Sequence, residues 1–183
     1  MDVRDLADAI TPHFFGAIDI EAMKTKCSSA YMKNVCEDKE LKGYMDSFIP
    51  PLIVPDDGFE NRVIKYSPVS KGAHHRGMSW HCDSWAIHDG DLVTTAKSLA
   101  IVITSEYGTE YVTNPDQDLW DLMVLTYGPD EDGLMDLPER YNTAMVLPGV
   151  VIGMSMWVVH RSVPAPFDCD RLFARKSITW KER

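Results

Sequence analysis

The sequence predicts a mainly β fold with a helical flank, an α+β class of protein. Short β-branched segments separated by turn-forming residues occupy most of the chain after residue 52. The first 50 residues instead space their apolar side chains as a helix does, and Pro50-Pro51 ends that region. Helices first and strands afterwards favour an antiparallel sandwich or barrel carrying its helices on one side.

The helical flank comprises residues 1–50. Leu6, Ile10 and Phe14 recur at helical spacing and predict a first helix. The same pattern predicts a second helix over residues 20–33 and a third, short one over residues 37–48.

The remaining chain alternates strands and turns. Residues 98–104, with the sequence SLAIVIT, are typical of a buried strand, and a second apolar run covers residues 150–159 after the turn Pro148-Gly149. The predicted strands are 63–66, 78–81, 98–104, 110–113, 143–147, 150–159 and 176–180. We therefore expect a single domain, 1–183, built as a double-stranded β-helix, the jelly roll of the cupin type.

Residues 114–140 interrupt the strand pattern with eight acidic side chains and one basic side chain. The segment predicts an insertion that contains a short helix. We expect this insertion to cover the mouth of a site. A strongly acidic cover would favour a cationic or zwitterionic small molecule or peptide as substrate.

Composition excludes several classes of function. The chain has 183 residues, 45% of them hydrophobic and 25% charged, as in an ordinary globular protein. A formal net charge of −10 disfavours nucleic acid, whose phosphates a negative protein repels. No apolar run is long enough for a membrane helix, and the N-terminus lacks a signal core, so we expect a cytoplasmic protein with reduced cysteines. No pattern in the sequence indicates an oligomeric state.

A metal site is predicted around the segment Trp80-His81-Cys82-Asp83. On a strand, His81 and Asp83 would point to the same face while Cys82 faces away. His160, at the end of the apolar run 150–159, would supply a third ligand. Two imidazoles and one carboxylate form a facial triad, which leaves coordination positions open for other ligands.

Three segments resemble the 2-oxoglutarate and iron(II)-dependent dioxygenase superfamily, in the order found there. The first runs from 63–66 to His81-Cys82-Asp83. The second is Leu147-Pro148-Gly149, a long apolar strand and then HRSVP from His160. The third is Arg175-Lys176-Ser177, which is similar to the family's Arg-x-Ser segment on its last core strand.

The resemblance implies a role for each matching residue. His81, Asp83 and His160 would bind Fe(II), and Arg175 would pair with the distal carboxylate of 2-oxoglutarate, with Ser177 beside it. Arg171 lies nearer the family's spacing and is the alternative anchor. Tyr66 matches a tyrosine whose hydroxyl can touch the co-substrate, although a core strand tyrosine explains it equally well.

The implied activity is an O2-dependent hydroxylation or demethylation of a small molecule or peptide. Two other functions fit the same residues: a cupin-type metalloenzyme that does not use 2-oxoglutarate, and a non-catalytic jelly-roll binding module. An activity that does not depend on 2-oxoglutarate would identify the first alternative. Failure to bind any divalent metal would identify the second.

Overall fold

A computed structural model of the chain describes residues 1–35, 38–49, 51–74, 78–85, 87–88, 91–93, 96–126 and 133–181. The strands are β1 (His13–Ala17), β2 (Lys33–Val35), β3 (Phe59–Val69), β4 (Ile87–His88), β5 (Asp91–Leu92), β6 (Ala96–Thr104), β7 (Thr109–Val112), β8 (Thr143–Met145), β9 (Val150–Ser155), β10 (His160–Ser162) and β11 (Cys169–Lys181). The helices are α1 (Ile20–Lys26), α2 (Lys39–Phe48) and α3 (Gln117–Thr126), with short 3₁₀ turns at Val3–Leu6 and Ser28–Ala30. None of the described helices is long and apolar enough to cross a membrane.

Two antiparallel sheets build the fold. The major sheet has six strands in the order β1-β9-β6-β11-β3-β2, and the minor sheet has three in the order β10-β7-β8. The strands β4 and β5 form a separate small ribbon. From β6 onward the chain crosses repeatedly between the sheets, from β6 in the major sheet to β7 and β8 in the minor sheet, back to β9, over to β10 and back to β11, as the predicted jelly roll requires.

The central strand β6 is buried on both faces. Leu99, Ile101 and Ile103 pack against the N-terminal flank, whereas Ala100 and Val102 pack between the two sheets. A strand that is covered on both sides needs apolar residues at every position, which explains why SLAIVIT shows no polar alternation.

The N-terminal flank is only partly helical. Helix α2 forms where predicted, whereas α1 fills only the first half of the predicted helix 20–33 and ends at Lys26. Asp19 and Asp38 cap the two helices by accepting hydrogen bonds from backbone N–H groups of the first turn. Phe14 instead lies in β1, which pairs antiparallel with β9. The predicted first helix is therefore wrong, because pairing with the open edge of the major sheet outweighs the helical spacing of Leu6, Ile10 and Phe14.

The predicted strand 150–159 is also wrong in extent. β9 ends at Ser155, the chain turns at Met156 and Trp157, and His160 then begins β10 in the minor sheet. The last strand is much longer than predicted, since β11 starts at Cys169 and pairs with β3 and β6 along its length. Cys169 and Asp170 are its first residues, seven positions before the start of the predicted strand 176–180.

The acidic insertion 114–140 contains the predicted short helix, α3. Leu119 and Met123 of this helix are buried against Trp80, Cys82 and Val112. This contact lies behind the minor sheet and not at a mouth. Residues 127–132, which carry three of the acidic side chains, lie outside the described residues.

A network of charges ties α2 to the major sheet. Lys176 of β11 is buried and lies 3.3 Å from Asp46 of α2 and 3.2 Å from Glu60 of β3. Arg62 contacts the same two carboxylates at 2.9 and 2.8 Å. Two positive and two negative groups therefore compensate one another at the junction of α2, β3 and β11.

We expect Lys176→Ala to lower the free energy of unfolding by about 2 kcal/mol. Breaking a fully buried pair costs about 3–5 kcal/mol, and the two carboxylates here are partly solvated. Urea denaturation measures the loss. The exposed Lys181 of the same strand is the control, and Lys181→Ala should stay within about 0.5 kcal/mol of wild type. Equal effects of the two variants would contradict a stabilising network.

Candidate metal and carboxylate site

His81 and His160 face each other across an isolated antiparallel bridge. The His81 N–H donates to the His160 carbonyl and the His160 N–H to the His81 carbonyl, each over 2.9 Å. Directly opposed residues of an antiparallel pair project to the same side. The two imidazole rings accordingly lie with their centroids 4.5 Å apart.

Backbone carbonyls orient both rings in the same way. His81 Nδ1 lies 2.9 Å from the Ser79 carbonyl oxygen, and His160 Nδ1 lies 2.9 Å from the Val158 carbonyl oxygen. A carbonyl only accepts, so each Nδ1 carries the proton and donates. The lone pair of each ring is then on Nε2, the arrangement in which histidine binds a metal.

Asp83 reaches the histidines from a turn and not from a strand. Ser84, its neighbour in that turn, has a φ of +67°, a backbone conformation that a serine rarely adopts. Strain of this kind concentrates at functional sites. Cys82 is buried in the cluster behind the minor sheet, so it faces away as predicted, but the turn and not strand alternation aims the carboxylate.

One ligand atom from each of His81, Asp83 and His160 lies within 4.8 Å of the others. Asp83 Oδ2 is 3.8 Å from His160 Nε2. Two imidazoles, each oriented by a backbone carbonyl, and a carboxylate, all largely buried, suit a divalent first-row metal. The three donors would hold such an ion at the edge of the adjacent cavity.

The cavity next to the three ligands has a volume of about 300 Å³. It lies between the sheets, and none of its described lining residues belongs to the insertion 114–140. The lining is His81, Asp83, Val102, Thr109, Met154, His160, Ser162, Arg171, Phe173 and Arg175. The expectation that the insertion covers the mouth is therefore not met by its described part.

Arg171 is a buried charged group at the wall of this cavity. Its residue surface is 4% exposed, and its Nε and Nη1 have no hydrogen-bond partner among the described residues. The guanidinium stacks on the rings of Tyr107 and Phe173, at 4.5 and 5.5 Å. Burial lowers the pKa of Arg171 from its ordinary value. A buried cation without an acceptor is costly, and a ligand carboxylate would satisfy it.

Arg175 lies elsewhere in the site. It shares the cavity face of β11 with Arg171, but its Nη1 is 3.8 Å from Asp83 Oδ2 and its side chain is 34% exposed. Ser177 lies beside it, in a small second cavity next to Asp83. Arg175 and Ser177 therefore neighbour Asp83, one of the predicted metal ligands.

Tyr66 lies on the opposite face of the major sheet. It pairs with Leu172, packs with the core beneath the N-terminal flank, and its ring meets Tyr31 edge-on at 5.0 Å. The cavity residues of β11 alternate with Leu172 and so face the other way. The prediction that Tyr66 touches the co-substrate is wrong for this reason.

Gly133 brings the end of the acidic insertion against the ligand segment. Leu134 and Trp80 exchange backbone hydrogen bonds of 2.8 and 2.9 Å. A Cβ on Gly133 would lie 2.0 Å from the Trp80 carbonyl oxygen, and its φ is +139°. Only glycine permits this approach one residue before His81.

We expect Gly133→Ala to weaken divalent-metal binding about tenfold, since the added Cβ must displace the Trp80-His81 backbone and loss of ligand orientation typically costs 10- to 100-fold. Calorimetric titration with nickel(II) measures the change. Gly72 also has a positive φ, +81°, but has open space around it. Gly72→Ala should therefore cost stability and leave metal affinity unchanged; a matching loss in both variants would refute the steric account.

No protein-family model matches the chain, and no curated protein matches it. Solved structures do match. Apo HygX from Streptomyces hygroscopicus superposes with a TM-score of 0.56 and 10% identity, over 96% of this chain and 84% of HygX.

Two further matches are weaker. EvdO2 from Micromonospora carbonacea var. aurantiaca, complexed with 2-oxoglutarate, gives a TM-score of 0.44 and 14% identity, covering 81% of this chain. The chain spans 66% of the length of EvdO2. HygX with nickel, 2-oxoglutarate and hygromycin B bound gives 0.42 and 11%, over 89% and 80% of the two chains. The likeness to apo HygX, together with the two-sheet architecture, confirms the predicted jelly-roll fold.

Proposed function

We propose that this protein is an Fe(II)- and 2-oxoglutarate-dependent oxygenase that hydroxylates or demethylates a small molecule. The observation that carries the proposal is the pairing of a His81–Asp83–His160 cluster with a buried, unsatisfied guanidinium, that of Arg171, in one cavity. HygX, whose fold the chain shares, has been crystallised with nickel, 2-oxoglutarate and hygromycin B bound.

His81, Asp83 and His160 would hold the iron. Arg171 would pair with the distal carboxylate of 2-oxoglutarate in a bidentate, charge-assisted contact. This assignment favours Arg171 over Arg175, the residue that the Arg-x-Ser pattern suggests, because Arg171 is buried and lacks an acceptor while Arg175 contacts Asp83.

The side chains around the cluster fit the same chemistry. Iron and 2-oxoglutarate, when bound, supply the oxidation of a substrate C–H bond by O2, with succinate and CO2 as the co-products. Val102, Met154 and Phe173 give the cavity apolar walls that exclude water from the reacting groups. The carbonyls of Ser79 and Val158 accept from Nδ1 of the two rings and so leave Nε2 of each ring as the atom that would bind the ion.

The test is co-substrate turnover. The Fe(II)-loaded protein under air should convert 2-oxoglutarate into succinate, slowly without a primary substrate, and His160→Ala should not. Succinate is measured by chromatography against protein-free Fe(II). O2 uptake that does not depend on 2-oxoglutarate would instead identify a cupin-type enzyme of another chemistry. Absence of metal binding would leave only a binding module.

A further inference from the structure

Arg175 and three serines surround a second, smaller cavity beside the metal ligands. This cavity has a volume of about 110 Å³ and touches Asp83. Its polar side chains are Ser84 in the ligand turn, Ser98 on β6, and Arg175 and Ser177 on β11. A guanidinium and three hydroxyls therefore converge at one side of the proposed iron.

The hydrogen-bonding capacity of these groups is unused within the described part of the chain. None of the three hydroxyls has a hydrogen-bond partner there, although Ser98 is only 6% exposed. The guanidinium of Arg175 has one charged neighbour, Asp83, at 3.8 Å, which is longer than a hydrogen bond. Ser98 is buried and Arg175 and Ser177 are half-buried, and donors in such positions are usually satisfied. Ser84 is exposed, and an oxyanion in the cavity could accept from all four groups.

Arg171 and Arg175 occupy different parts of the site, and only Arg175 lines the smaller cavity. Four residues of a strand separate Arg171 from Arg175, a rise of about 13 Å, and Phe173 lies between them on the same face. If Arg171 anchors 2-oxoglutarate, Arg175 and its serines remain for a different ligand.

Charge balance points to the sign of that ligand. The divalent ion, the Asp83 carboxylate, dianionic 2-oxoglutarate and Arg171 sum to zero. Arg175 then adds one positive charge that no group of the loaded site compensates. Once Asp83 is bound to the metal, its attraction for Arg175 falls, and an incoming anion becomes the natural partner.

We propose that Arg175, Ser84, Ser98 and Ser177 form an oxyanion subsite that binds a carboxylate or phosphate group of the primary substrate. The inference rests on the proposed function, since it takes the metal and 2-oxoglutarate as the neighbouring ligands. Of the two expected substrate types, cationic and zwitterionic, it favours a zwitterion that carries a carboxylate. The chain is negative overall, so this recognition is local and short-ranged.

The experiment titrates inorganic phosphate, and separately acetate, into nickel(II)-loaded protein with and without 2-oxoglutarate, followed by calorimetry. The variants are Arg175→Gln, Arg171→Gln and Lys181→Gln. The last removes one positive charge from the same strand at an exposed position and controls for a general charge effect. Nickel and 2-oxoglutarate affinities are measured for each variant, so that loss of the metal is detected separately.

We expect one anion to bind per loaded wild-type chain, and Arg175→Gln to weaken it at least about tenfold, because a charge-assisted contact is removed. Lys181→Gln should match wild type, and only Arg171→Gln should weaken 2-oxoglutarate. Tighter binding of phosphate than acetate supports a phosphorylated substrate, and the reverse a carboxylic acid. Either result supports the subsite.

Two outcomes overturn the subsite: wild type binds neither anion, or Arg175→Gln binds them as wild type does. Failure of the proposed function has a different signature. Nickel-loaded wild type would then not take up 2-oxoglutarate, while an anion that depends on Arg175 would still bind.

Discussion

Replacing His160 with alanine should weaken divalent-metal binding by at least about a hundredfold. Even partners that only orient a ligand contribute 10- to 100-fold to metal affinity, and His160 would supply one of three ligand atoms. The variant keeps its backbone hydrogen bonds to His81, so the fold should survive. Calorimetric titration of metal-free protein with iron(II), without oxygen, measures the loss.

His13→Ala is the matched control, because His13 lies in β1 and its ring contacts only Phe15 among the described aromatic side chains. This variant should bind iron(II) as wild type does. Retention of metal by His160→Ala would show that the cluster is not the binding site, whatever its geometry.

Replacing Arg171 with methionine should stabilise the ligand-free protein and nearly abolish 2-oxoglutarate binding. A buried cation without an acceptor is unfavourable, and exchange of buried charges for apolar side chains gains about 1–4 kcal/mol. The stacking of Arg171 on Tyr107 and Phe173 offsets part of this, so we expect about 1–2 kcal/mol. Loss of the bidentate contact should weaken 2-oxoglutarate about a hundredfold.

Thermal unfolding of nickel-loaded protein with and without 2-oxoglutarate measures both effects. The unfolding temperature of wild type should rise when 2-oxoglutarate is added. Arg171→Met should unfold at a higher temperature than wild type without 2-oxoglutarate, and its addition should raise that temperature hardly at all. Arg175→Met is the control on the same strand and face, and its gain from 2-oxoglutarate should persist. If 2-oxoglutarate stabilises Arg171→Met but not Arg175→Met, Arg175 is the anchor instead.

Arg171, the proposed anchor of 2-oxoglutarate, shows how much of the site could be predicted from the sequence. Eleven positions separate His160 from Arg171, and that spacing alone could have favoured it. The pattern was obscured because β11 was expected to begin near Lys176, after a loop. Leu172, Ala174 and Ile178 are all buried and lie on the same face of β11. Their spacing in steps of two is visible in the sequence and could have predicted the longer strand.

The sequence around Tyr107 contains no pattern that predicts its contact with Arg171. Tyr107 follows β6 in a loop, and its hydroxyl is buried without a hydrogen-bond partner among the described residues. Its contact with Arg171 joins segments far apart in the chain, through a pairing of strands that local periodicity does not encode. A family resemblance that rests on short segments does not predict this contact either.

His81 and Asp83 lie together, as the His-x-Asp pattern predicts, but strand alternation is not what brings them together. Strand alternation was expected to aim both groups, whereas the structure aims His81 by its bridge to His160 and Asp83 by a turn at Ser84. The N-terminal flank failed differently. Phe14 follows helical spacing, yet an open sheet edge at β9 recruits its segment as a strand, a tertiary effect that local propensity cannot report.

The most direct test of the central claim is an anaerobic titration of Fe(II)-loaded protein with 2-oxoglutarate, followed by the weak visible charge-transfer band of a chelated keto acid. The account predicts a saturable band in wild type, no band in His160→Ala, and a band in Arg171→Met only at far higher 2-oxoglutarate. Iron that binds without a band, or a band that persists in His160→Ala, would contradict it.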